Sequence, residues 1–180
     1  AELALRQAFK GRGGLKGYAD LALFRTEFRD MLEFSFGQWA NVPNAGLANF
    51  GFTSLNVGPT RIQGLEATAV GEAKLGPGTL QALVSYTYAQ PVALDPEKVY
   101  ASDAAGSALT YTSTSLDPSS KVLKYRYRHV GKADLAYTWR RVTGAISIRA
   151  NSFMENIDGI FTSPLVAIYV PGVADSRYFT

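Results

Sequence analysis

One histidine, His129, and scattered carboxylates at Glu27, Asp30, Glu33, Asp95 and Glu97 are the groups with which this chain would have to do acid–base or metal chemistry. A nucleophile–histidine–acid relay needs a base held beside a serine and oriented by an acid. His129 lies between Arg128 and Val130 with no such motif near it, so an enzyme is not expected. The carboxylates offer oxygen ligands for calcium but not in EF-hand spacing, which leaves loop solvation as their default role. "GRGG" (11–14) and "GKAD" (131–134) lack the Gly, four residues, Gly-Lys-Ser/Thr order of a phosphate loop. There is no cysteine, which excludes thiolate metal sites and a disulfide scaffold. No cofactor and no metal is expected.

Cations are the more interesting set. Arg25, Arg29, Lys124, Arg126 and Arg128 fall on the polar parity of alternating stretches, where they would attract an anionic ligand such as a metal chelate or acidic glycan. The plainer alternative is a wet interior in which they pair with Glu27, Glu33 and Asp134. A net charge of +3, with basic residues interleaved among apolar ones, gives no nucleic-acid patch.

Those residues are carried by strands. Period-two alternation dominates and helical periodicity is weak throughout. Expected strands cover residues 2–10, 15–36, about 50–73, 79–88, 123–139 and 145–154. In the second, Tyr18, Ala22, Phe24, Phe28 and Leu32 take the apolar parity and Arg25, Glu27, Arg29 and Glu33 the polar one, although Asp20, Leu21 and Leu23 break the pattern. Gly58-Pro59 must kink the third, because proline cannot donate to a ladder. In the fifth, "LKYRYRHVGKADLAYTW", Tyr137 and Trp139 would form an inner aromatic girdle, with Tyr125 and Tyr127 at or above an outer one. Lys132, Asp134 and Thr138 would face a polar lumen.

Connections then sort the architecture. They run short (GRGG), long (37–49), short (LGPG), very long (89–122), short (RRVTG) and long (155 onward). In an up-and-down meander, alternate connections share an end, so every short turn lies at one end of the sheet. Outer-membrane barrels have this asymmetry, with short periplasmic turns and long extracellular loops. Hydrophobic residues at 47% and charged ones at 18% argue against disorder. No run of 18 apolar residues suggests a transmembrane helix. A soluble antiparallel sheet or barrel with one wet face alternates similarly and remains the alternative. On the membrane reading, Leu80, Val84, Tyr86, Ala133, Leu135, Tyr137, Ile146 and Ile148 face lipid.

"YADLALFRTEFRDMLEF" followed by "NVGPTRIQGLEA" resembles the C-terminal barrel region of TonB-dependent outer-membrane receptors. "LKYRYRHVGKADLAYTW" and "NSFMENIDGIF" are similar to the barrel ends of such receptors from Bacteroidota-like bacteria. The resemblance covers nearly the whole chain. It implies an all-β, antiparallel up-and-down transmembrane barrel segment, about six strands of a 22-stranded barrel. All of residues 1–180 would then be part of one β-barrel domain, without its plug domain and last strands, with a following strand starting near Phe179. It further implies uptake of a scarce nutrient (siderophore, cobalamin, glycan or peptide) across the bacterial outer membrane. Implied partners are the rest of the barrel and its plug, the TonB energy-coupling complex, lipid and lipopolysaccharide, and a surface lipoprotein or larger membrane assembly. A structural role in such an assembly is the second function compatible with the resemblance.

Overall fold

A computed structural model describes residues 1–39, 50–103 and 105–169. In chain order the strands are β1 (Glu2–Lys10), β2 (Lys16–Phe28), β3 (Leu32–Gln38), β4 (Phe50–Asn56), β5 (Thr60–Leu75) and β6 (Gly78–Ala93). They continue with β7 (Val99–Ser102), β8 (Ala108–Thr110), β9 (His129–Trp139) and β10 (Val142–Asn151). A one-turn helix, α1 (Tyr111–Thr114), follows β8, and a short helix, α2 (Pro164–Tyr169), closes the described part. Six strands form one antiparallel sheet in the order β1-β2-β5-β6-β9-β10. This is the expected meander, and it does not close: β1 and β10 each leave an edge without a partner among the described residues.

Cross-strand partners in an antiparallel ladder share a face, so the register sorts every side chain. One rung reads Leu5, Leu21, Ala67, Tyr86, Gly131, Ala150, and the next reads Arg6, Asp20, Thr68, Ser85, Lys132, Arg149. The eight residues from Leu80 to Ile148 expected on one apolar parity do share that first face. It is the convex, open side: Leu3 is 72% exposed and Ile148 58%. The polar side is concave, with a groove whose walls include Tyr18, Val70, Gln81, Leu83, Asp134 and Ser147.

Several expectations need correction. The second strand does not run from 15 to 36: its ladder with β5 stops at the Phe28–Thr60 pair. Pro59 lies next in the partner and has no N–H for another rung. Met31 N–H bonds the Gly58 carbonyl and Val57 N–H bonds the Met31 carbonyl, pinning the break. Beyond it the chain continues as a separate β3–β4 ladder, so the third strand is divided as well.

The face assigned to the second strand is also reversed. Leu21, Leu23 and Arg25 share the apolar face, while Tyr18, Ala22, Phe24 and Phe28 lie on the polar one. Large rings fit the concave side where a neighbour is small. Phe24 lies across Gly64, where an added Cβ would come within 2.8 Å of the ring. Tyr18 carries the Arg6 guanidinium 4.7 Å above its ring centroid.

The fifth strand begins at His129, not at 123. Tyr125 adopts φ 57°, outside the extended region, and ends the alternation. Tyr125 and Tyr127 therefore form no outer girdle in line with β9. Residues 89–122 are not one open loop either: β6 continues to Ala93, and the rest contains the β7–β8 hairpin and α1. Most of the expected 37–49 loop, and the strand start near Phe179, lie outside the described residues.

Above the sheet at its long-loop end these pieces close over a small core. Val57, Ala93, Tyr111 and Leu123 are buried there, with Met31 and Tyr100 packed against them. We refer to this assembly as the cap.

Candidate functional site

Local sequence explains how the cap presents its polar groups. Thr110 ends β8 and caps α1: its hydroxyl accepts from Ser113 N–H while Ser113 reaches back to the Thr110 N–H. Such a reciprocal box fixes the start of a helix too short to hold itself. Tyr111 is thereby turned into the core, where its hydroxyl donates to the Val122 carbonyl at 2.8 Å. In β3 the alternation places Glu33, Ser35 and Gly37 inward. The segment after β10 contributes Asn156, Ile157 and Asp158, all within a few per cent of full burial.

Asp158 is the hub. Its carboxylate accepts from Ser35 Oγ at 2.7 Å, Phe36 N at 2.6 Å, Lys124 Nζ at 2.7 Å and Tyr125 OH at 2.6 Å. Lys124 also donates to Thr114 Oγ1 at 2.7 Å, which meets Tyr100 OH. Four separate stretches of chain therefore meet on one carboxylate and one ammonium. A buried charge is tolerated when it is paired and hydrogen-bonded; here Asp158 accepts four bonds and Lys124 donates two.

Burial shows in the acidities. It pushes the Lys124 ammonium down, against the opposing pull of Asp158. It pushes the Tyr100 hydroxyl up to about 12 and raises Tyr111 and Tyr125 as well. Glu33 is likewise raised by burial, with the Arg126 guanidinium working the other way.

The five cations singled out in the sequence do not converge. Arg25 pairs with Glu27 at 2.5 Å on the exposed apolar parity, above the last leucines. Lys124 is in the Asp158 hub. Arg126 holds Glu33 at 2.7 Å, and Arg128 holds Glu155 at 2.9 Å while donating to Tyr88 OH. Arg29 is exposed beyond the end of β2. Pairing with carboxylates, the plainer reading, describes four of the five, two of them with the expected Glu27 and Glu33. Asp158 itself was missed. Its signal in the sequence is an acid flanked by Ile157, Gly159 and Ile160, an apolar setting unusual for a solvated carboxylate.

His129 lies on the apolar parity at the cap boundary, its Nδ1 2.7 Å from Tyr86 OH and its ring 5.0 Å from that of Tyr88. Among the described residues, no group of three or more His, Cys, Asp or Glu side chains gathers as a metal site would. The cap is thus a polar clasp whose hub carboxylate and ammonium are committed to each other and to neighbouring hydroxyls and backbone.

The second surface is the apolar belt. On β9 it runs through Ala133, Leu135 and Tyr137 to Trp139; on β6 it runs from Leu80 to Tyr88, and Gln90 succeeds it. On β2 and β5 the belt ends likewise at Leu23 and Leu65, with Arg25, Gln63 and Arg61 above. The 11 residues of β9 extend about 33 Å at roughly 3.3 Å each. Tilted by about 40°, such a strand spans about 25 Å of height, the apolar band of an outer-membrane barrel.

The family model described as "TonB dependent receptor-like, beta-barrel" matches residues 1–173. Neither a curated protein nor a solved structure matches the chain.

Proposed function

From the chain's membership of the TonB-dependent receptor-like β-barrel family, we propose that these six strands are an arc of a receptor barrel in the bacterial outer membrane. In this reading the convex belt contacts lipid, the short turns face the periplasm and the cap faces the medium. The concave side lines the lumen around a plug, and the TonB complex supplies energy for uptake of a scarce nutrient. The ligand class stays as wide as siderophore, cobalamin, glycan or peptide.

The observation that carries this reading is the exposed, predominantly apolar parity shared by all six strands, which only Gln7 interrupts within the belt. In water, so large an apolar patch would be an aggregation hazard; in hydrocarbon it is the surface that lipid requires. The open edges of β1 and β10 fit the same account, since unpaired backbone groups do not persist in a bilayer. Each would be paired by a further barrel strand. Of the five cations, Arg29 and the half-exposed Arg126 are the ones we assign to ligand contact, because Lys124 and Arg128 are committed to closing the cap.

Topology is tested with single cysteines in a chain that has none of its own. Ser107→Cys lies in the exposed β7–β8 turn, and Pro77→Cys in the β5–β6 turn avoids the left-handed Gly76 (φ 58°). On intact cells an impermeant thiol reagent should label position 107 and spare position 77. Labelling of position 77 alone would invert the assignment.

A further inference from the structure

The turn end of the sheet holds charge out of proportion to its size. Lys10, Arg12, Lys16, Lys74, Arg140 and Arg141 stand there with one carboxylate, Glu72. That is a net +5 in a chain of +3, so all remaining residues together carry −2. Glu72 is engaged by Lys16 at 2.9 Å. Lys10 and Lys16 are direct cross-strand partners, a like-charge pairing that costs stability.

These cations divide by face. Lys10, Lys16 and Lys74 take the polar parity and point to the concave side. Arg12 lies in the β1–β2 turn, and Arg140-Arg141 are the two residues joining β9 to β10. None of the three arginines has an ion pair among the described residues.

Arg140 is also in a costly conformation, with φ 55°. Two-residue hairpin turns favour Asn-Gly or Gly at such positions, and the neighbouring β5–β6 turn uses Gly76. An arginine held at position 140 against local preference points to a use for its guanidinium group. Immediately above the turns, Phe9, Leu75, Trp139 and Val142 end the apolar face, all exposed. The Arg140 guanidinium sits 5.1 Å over the Trp139 ring, so it lies against the belt rather than in the lumen.

We propose that this arginine-tipped, tryptophan-backed rim binds the phosphodiester headgroups of anionic phospholipid in the adjoining leaflet. A guanidinium presents paired N–H donors that match phosphate oxygens. Tryptophan rings settle at the level where headgroup meets hydrocarbon. Basic residues at an anionic surface add attraction residue by residue. This inference rests on the membrane orientation proposed above.

The test uses the complete receptor in phosphatidylcholine bilayers, with spin-labelled phosphatidylglycerol and, separately, spin-labelled phosphatidylcholine as probes. Phosphatidylglycerol should be immobilised at the protein in preference, and the preference should fall with salt. Arg140→Gly with Arg141→Asn, which suits the turn, should lower that preference roughly tenfold and leave the phosphatidylcholine signal unchanged. An unchanged preference would overturn the inference. So would an equal loss in Lys10→Gln with Lys74→Gln, which would assign the preference to the total charge at this end rather than to the arginine rim. Failure to immobilise either lipid would instead refute the membrane reading on which the inference stands.

Discussion

The sheet and the cap bury opposite things. Across the sheet, leucine, isoleucine and valine stand on the open convex face while Asp20, Lys132 and Asp134 line the concave one. In the cap, Glu33, Ser35, Lys124, Asn156 and Asp158 are inside with Tyr111 and Leu123. On the membrane reading proposed above, the difference reflects the solvent each part answers to. Strands in hydrocarbon satisfy their backbone within the ladder and spend apolar side chains outward. A cap in water needs a core of its own and, with few large apolar residues to build it, closes around charge.

The largest effect should come from breaking the cap at its hub. Asp158→Ala strands a buried ammonium, a hydroxyl, a phenol and a backbone N–H, and removing one member of a buried pair costs about 3–5 kcal/mol. Hydrogen exchange should rise through β3, α1 and residues 121–128, with the β5–β6 ladder unaffected. Loss of protection in both regions together would mean that the sheet depends on the cap.

Next is the belt. Leu135→Arg or Val84→Arg, measured by unfolding from lipid vesicles, should cost about 2–4 kcal/mol. Ser85→Arg and Ser147→Arg, one residue out of phase on the concave face, should cost far less. Similar losses on both parities would indicate a strand buried on both sides and erase the contrast between sheet and cap.

The smallest effect is pH-dependent. Glu33 has its carboxyl raised by burial, so the closed cap binds a proton that the open cap releases. Between the ordinary carboxylate value and the raised one, rising pH should weaken cap closure. Glu33→Gln should flatten that slope, measured by hydrogen exchange at β3. An unchanged slope would assign it to another group.

How much of this was legible follows the same division. The six-stranded main sheet, its meander order and the parity of β6, β9 and β10 can be read directly, because residues such as Leu80, Val84, Leu135 and Ile146 alternate without interruption. The family match agrees with the resemblance carried by "NVGPTRIQGLEA". Parity failed in β2 because period two marks which residues share a face but not which face is outside. Phe24 and Tyr18 carry the apolar parity of the strand in sequence, yet ring-over-glycine packing and a cation–π contact hold them on the concave side. Strand ends failed for a different reason. Nothing local in "LKYRYR" announces that Lys124 will meet Asp158, a partner 34 residues away. The ladder gives way there to a tertiary contact that alternation does not encode.

Lipid exposure of the convex parity is the central claim, and nitroxide scanning of β9 measures it most directly. Single labels from position 130 to 139, in the complete receptor in bilayers, are read for collisions with oxygen and with a water-soluble nickel chelate. Positions 133, 135 and 137 should favour oxygen, and 132, 134 and 136 should favour nickel, alternating with period two through the whole strand. Equal nickel access at both parities, or an alternation of reversed phase, would contradict the account.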